Sequence, residues 1–169
     1  FADELHMSMN PIREAIIRLR DIGLVDVTPA RYTKVADFAA PGSRAAISYA
    51  GVLAGAALRN ALPTVTEGVR SDLATYADTI AAAEGATGTT AMVVFLDAVA
   101  DVMEHPRQSM HLVETTILAQ CALQFSGAHS DDDATTVPPS AARAVAQAIR
   151  AADAVATENA VRALFDLLA

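Results

Sequence analysis

From about residue 44 to its end, every segment of this chain reads as helix. The stretches "SRAAISYAGVLAGAALRNAL", "TVTEGVRSDLATYADTIAAAE", "AMVVFLDAVADVME", "RQSMHLVETTILAQCALQF", "AARAVAQAIRAAD" and "AVATENAVRALFDLLA" are set apart by Pro63, by "GATGTT", by His105-Pro106 and by the polar loop "SGAHSDDDATTVPPS". Helices with apolar faces are stable in water when they pack on one another, so this part of the chain is expected to be an all-α bundle of about six helices. Residues 91–96 (Ala-Met-Val-Val-Phe-Leu) are apolar all the way round, which predicts a helix buried in the middle of the bundle. Thr64 and Glu67 have the spacing of a capping box ahead of the second helix.

Composition narrows the class. A chain of 169 residues that is 53% hydrophobic and 19% charged can bury a core and is neither disordered nor a disulfide scaffold. No uninterrupted apolar run reaches the roughly 18 residues that span a bilayer, and no basic start followed by an apolar run suggests export. A soluble, cytoplasmic protein without a membrane partner is the expectation. The single Cys121 excludes an internal disulfide and a multi-cysteine metal cluster. Five of the 12 basic and six of the 20 acidic side chains lie in residues 1–37, a net of −1; the remaining seven and 14 give −7. An anionic partner would therefore have to meet the first segment.

That first segment has a different grammar. Phe1, Ala2 and Leu5 fit the end of an amphipathic helix, and His6 and Met7 make a turn. Ser8 suits an N-cap, Pro11 a first helical turn, and Gly23 a helix end. Between them Ile12, Ala15, Ile16, Leu19 and Ile22 form one stripe that is expected to face a core. "LVDVTPARYTKVADF" then reads as a two-stranded hairpin turning at "TPAR". The Pro-Gly pair in residues 38–44 marks a linker, which leaves residues 1–37 and 45–169 as two domains.

A helix-turn-helix followed by a two-stranded wing is an architecture that reads DNA with its second helix in the major groove. The stretch "ADELHMSMNPIREAIIRLRDIGLVDVTPARYTKV" closely resembles the winged helix-turn-helix of GntR-type bacterial transcriptional regulators. Their pattern L-A-x-x-L-x-V-S-R-x-P-V-R-E-A-L-x-x-L-x-x-x-G-L-V, with its P-x-R-G wing, is matched by Leu5, Ser8, Pro11 to Ile16, Leu19, Gly23 to Val25, Pro29, Arg31 and Val35. The resemblance covers about 35 residues without a gap and implies that the chain starts inside the second helix of a partial winged domain whose first helix is missing. It also implies a DNA-binding set of Ser8, Met9, Asn10 and Arg13 at the recognition helix, with Arg31 and Lys34 on the wing. Guanidinium forks suit phosphate oxygens and guanine edges. Two positions depart from the pattern: the family's arginine after the serine is Met9, and the wing glycine is Tyr32.

The helical domain resembles the FCD group, the FadR-like branch of these regulators, whose members bind small carboxylates in a bundle cavity, often with a divalent metal. The family's metal set aligns with Met92 and Leu96 through Phe95 and Pro106, and with Ala142 and Leu164 through Arg143, Asp153 and Arg162. All four are apolar and offer no useful lone pair to a hard or borderline cation, so neither metal nor cofactor is expected. The family's carboxylate-gripping arginine falls near Ala50, which leaves Tyr49, Arg59 and Asn60 as polar groups on that helix.

The resulting expectation is a homodimeric regulator of double-stranded operator DNA. Its bundle would sense a small apolar or amphipathic effector without metal, through Met92, Leu96, Ala142, Leu164 and Tyr49. The alternative is a dimerisation scaffold whose effector site has become packed core. Glu114, Gln120 and Gln124 could orient a ligand, His111 and Glu114 are too few for a metal, and "HSDDD" at 129–133 lacks calcium-loop spacing. No phosphate loop or Ser-His-Asp pattern stands out, so an enzyme is not expected.

Overall fold

The computed structural model describes residues 6–40, 42, 44–84, 86–126 and 137–168, so the helix end expected at Phe1, Ala2 and Leu5 lies outside the described residues. The chain divides into two compact units, Phe1–Asp37 and Phe38–Ala169.

In the first unit α1 (Met9–Ile22) leads into β1 (Val25–Thr28) and β2 (Tyr32–Val35). Ser8 takes the extended N-cap conformation, but its hydroxyl makes no capping bond. Gly23 ends the helix at φ 94, a left-handed conformation that glycine adopts without a Cβ penalty, and its N–H returns to the carbonyls of Leu19 and Arg20. The strands pair antiparallel with Val25 opposite Val35 and Thr28 opposite Tyr32. The "TPAR" turn is closed by the Arg31 N–H on the Thr28 carbonyl at 3.0 Å. The apolar stripe of α1 is less enclosed than its spacing predicts: Ile12 is buried, Ile16 and Ile22 are half-buried, Ala15 is exposed and Leu19 is 38% exposed. Among the described residues one helix and one hairpin supply too little surface to cover both sides of that stripe.

The second unit consists of α2 (Arg44–Ala61), α3 (Glu67–Ala82), α4 (Ala86–Asp101), α5 (Pro106–Ser126), α6 (Pro139–Arg150) and α7 (Ala154–Asp166). The packing runs in a closed circuit: α2 against α5, α5 against α4, α4 against α3, α3 against α6, α6 against α7, and α7 back on α2. The mostly helical fold with a six-helix bundle is thus the one the sequence predicts. Phe95, Phe165, Ile47, Leu58, Leu112 and Ile149 are fully buried at its centre, each large side chain contributing about 1.5–3 kcal/mol. On α6 the buried set Ala142, Val145, Ala146 and Ile149 follows helical spacing.

The tightest seam joins α2 to α7. A Cβ added at Gly51 would stand 2.4 Å from the Phe165 Cβ, and one at Gly55 would stand 3.1 Å from the Glu158 carbonyl oxygen. The two backbones approach closely because these positions lack side chains. Across the same seam the Arg59 guanidinium donates to the Glu158 carboxylate at 2.7 Å, while Arg150 on α6 pairs with Asp78 on α3. Buried Thr115, Thr116 and Thr157 each donate to the carbonyl four residues earlier, at 2.8 Å, so none brings an unsatisfied hydroxyl into the core.

Three local expectations are corrected. The N-cap of α3 is Thr66, whose Oγ accepts from the Val69 N–H; Thr64 instead donates to the Ala61 carbonyl and closes the end of α2. The "GATGTT" break falls largely inside α4, which starts at Ala86 because Thr87 folds back on Glu84 through both its amide and its hydroxyl. Residues 91–96 are not buried all round: Met92, Phe95 and Leu96 are, whereas Val94 is 43% exposed on the outer face of the circuit. Phe38, in the stretch expected to link the units, stacks on Phe125 of α5 with ring centroids 6.2 Å apart.

Candidate nucleic-acid interface and bundle centre

The start of α1 presents Ser8, Met9, Asn10 and Arg13, all exposed. Pro11 has no N–H to satisfy, so the chain enters the helix there without losing a hydrogen bond. The N-terminal end of a helix carries partial positive charge, and the Ser8 hydroxyl is left uncommitted by the cap. Among the described residues the guanidinium groups of Arg13, Arg18 and Arg31 make no ion pair, whereas Arg20 is held by Asp21 at 2.6 Å. Unpaired exposed guanidiniums beside free amide and hydroxyl groups form a surface suited to phosphate oxygens and base edges.

On the hairpin, Arg31 sits at the turn and Lys34 on β2. Lys34 is less free than its charge suggests: its Nζ lies 3.7 Å from the carboxylate of Asp26, its cross-strand partner, and 5.5 Å from the centre of the Tyr32 ring. Residues 32 and 34 share one face of the strand, so the half-exposed Tyr32 and Lys34 form a joint aromatic and cationic tip. In the resemblance Tyr32 stands only as a departure from the wing glycine. The period of two along β2 was the signal that could have placed it in this set.

In the helical unit Met92, Leu96, Ala142 and Leu164 are all buried, at 0–2% exposure, and belong to one continuous core. Met92 and Leu96 lie on α4, which packs on α2, α3 and α5; Ala142 on α6 and Leu164 on α7 reach the core from the far side of the circuit. Clefts of about 420, 370 and 500 Å3 open elsewhere on this unit, and none of the four residues lines them.

Tyr49 stands apart from that buried set. Its ring is 46% exposed on α2 and meets His111 of α5 edge-on, with the hydroxyl 3.0 Å from Nε2. Glu114 approaches the other ring nitrogen of His111 at 3.9 Å. Among the described residues no group of three or more His, Cys, Asp or Glu could hold a metal ion, and no helix is long and apolar enough to cross a membrane. Gln120 is half-buried and Gln124 exposed, while "HSDDD" lies outside the described residues. Cys121 is half-buried, and burial pushes its thiol pKa up.

No protein-family model matches the sequence, and no curated protein matches it either. The fold does have solved counterparts. The structure of E. coli McbR/YncC superposes with a TM-score of 0.70 at 16% sequence identity, covering 98% of this chain and 80% of that chain.

Proposed function

We propose that this chain is a DNA-binding transcriptional regulator of the GntR type, in the FadR-like branch. In this reading α1 is the recognition helix and the hairpin its wing. The observation that carries the proposal is the surface made by Ser8, Met9, Asn10 and Arg13 at the start of α1, followed at once by a wing bearing Arg31 and Lys34. The fold shared with McbR/YncC supports the GntR-type part of this reading. Phosphate contacts from Ser8 and the wing would set the register, and Arg13 would read a base edge. The helical unit would pair two copies in the cytoplasm, so that their recognition helices meet half-sites about one helical turn apart.

The burial of Met92, Leu96, Ala142 and Leu164 supports the scaffold reading of the bundle centre over an effector site. A sensing role there, for a small apolar effector and without metal, requires space to open among four packed side chains. Selection of sites from random duplexes by the whole protein tests the main proposal. Enrichment of one palindrome is expected, and equal retention of all sequences would refute it. Thermal-shift screening tests the bundle centre: stabilisation by small apolar compounds would restore the sensing reading.

A further inference from the structure

The C-terminal ends of α2 and α4 and the first turn of α5 enclose a cleft of about 420 Å3. Small-molecule sites commonly occupy roughly 300–1,000 Å3 and combine an apolar body with a few polar groups. Here the floor is apolar, with Ala57 and Ala61 buried and Met103 half-buried. The rim is polar, with Asn60, Glu104 and Gln108 exposed around it. Among the described residues these three side chains have no hydrogen bond or ion pair within the protein.

We propose that this cleft binds a small organic cation, an amine carried on a short apolar body. Three observations set the sign of the ligand. No Lys or Arg lines the cleft, whereas the Glu104 carboxylate does, beside the His105 ring, whose Nδ1 accepts from the Arg107 N–H. Two helices, α2 ending at Ala61 and α4 ending at Asp101, border it with the negative ends of their dipoles, their last carbonyls already accepting from Thr64, Val65, Val102 and Met103.

The third observation concerns α5, whose positive end also borders the cleft but is closed. Pro106 has no N–H, His105 Nδ1 accepts from the Arg107 N–H at 3.3 Å, and the His105 carbonyl accepts from Gln108 and Ser109 at 2.9 and 3.1 Å. An anion finds no free backbone donor there.

An ammonium group has three donors and no acceptor, which matches an acceptor-rich rim. Glu104 takes the charge. The amide oxygens of Asn60 and Gln108 take further N–H bonds, as does the Thr64 oxygen, whose own hydrogen is already given to the Ala61 carbonyl at 2.9 Å. The apolar body lies over Ala61 and the thioether of Met103, a surface that favours a flat ring. This inference stands apart from the DNA-binding reading, because binding is measured on the protein alone.

Calorimetric titration of the whole protein with 2-phenylethylamine and with 3-phenylpropionate, matched in size and opposite in charge, tests it. The expected result is saturable binding of one amine per chain, at least about 10-fold tighter than the acid, with Glu104→Gln weakening the amine about 10-fold. Glu67→Gln, on the exposed first turn of α3, should bind the amine as the parent does, which separates a local carboxylate from the overall charge of −8. Absence of saturable amine binding, equal affinity for the acid, or equal losses in the two variants would each overturn the proposal.

Discussion

The two units enclose their apolar residues to different degrees. In the bundle Leu164, Phe165 and Ile149 are fully enclosed, whereas on α1 Leu19 is 38% and Ile17 47% exposed, and Ile12 alone is buried. Charge divides along the same line: residues 1–37 are close to neutral, and the rest holds nearly all of the −8. The bundle's sequence is shaped by what it encloses and that of α1 by what it presents. A substitution of the same kind should therefore read out differently in the two places.

The largest contrast is expected between Leu164→Ala and Leu19→Ala. The first should lower the unfolding free energy by about 2–5 kcal/mol, the second by less than about 1 kcal/mol. Urea unfolding of both variants checks this, and equal losses would break the comparison by showing α1 to be as enclosed as the bundle.

Within the bundle, Gly51→Ala sharpens the point. Its Cβ would meet that of Phe165 at 2.4 Å, so a loss of about 1–3 kcal/mol is expected. At Gly88 of α4 nothing lies within 4 Å, and Gly88→Ala should instead stabilise by up to about 1 kcal/mol through helix propensity. Opposite signs in the two thermal midpoints are the expected outcome.

On α1 the effect should move from stability to binding. Arg13→Ala should weaken specific DNA binding by about 1–3 kcal/mol if it reads a base. Its thermal midpoint should stay that of the parent, since the exposed guanidinium has no partner among the described residues. Competition titration on the selected site measures the first and calorimetry the second. A variant that melts early would make Arg13 a structural residue.

The smallest effect concerns Asp97 on α4, whose carboxyl pKa is pushed up by burial and then by the negative charge of Asp101. A raised folded pKa means that the folded state holds the proton more tightly than the unfolded chain. Ionised Asp97 is then a penalty, present above the raised pKa and removed as pH falls through it. Asp97→Asn should raise the thermal midpoint slightly at neutral pH, with the gain vanishing in acid. A gain that grew as pH fell would reverse the sign of this account.

Much of the fold was legible because helical spacing and a few punctuating residues carry it. Gly23 stops α1, "TPAR" turns the hairpin, and the apolar positions of α6 name its inner face. What could not be read depended on competition between neighbours or on distant partners. Thr64 and Thr66 are equally good caps in isolation, and only the way α2 ends at Ala61 assigns Thr64 to the turn. A run such as residues 91–96 looks alike on every side, so nothing local reveals that Val94 faces outward. The cleft had no signal at all, because Asn60 and Glu104 come from segments that meet only when α2 and α4 pack beside α5.

The seam between α2 and α7 also sets a timetable for synthesis. Arg59 and Glu158, which bridge it, are 99 positions apart in the chain. A ribosome adding about 5–20 residues per second leaves the Gly51–Gly55 side of α2 without its partner for several seconds. Only the last helix of the circuit can cover it, so the bundle closes late and as a whole. During that interval the face of α2 that will meet Phe165 stays uncovered, and shielding it falls to the helices already made or to a chaperone.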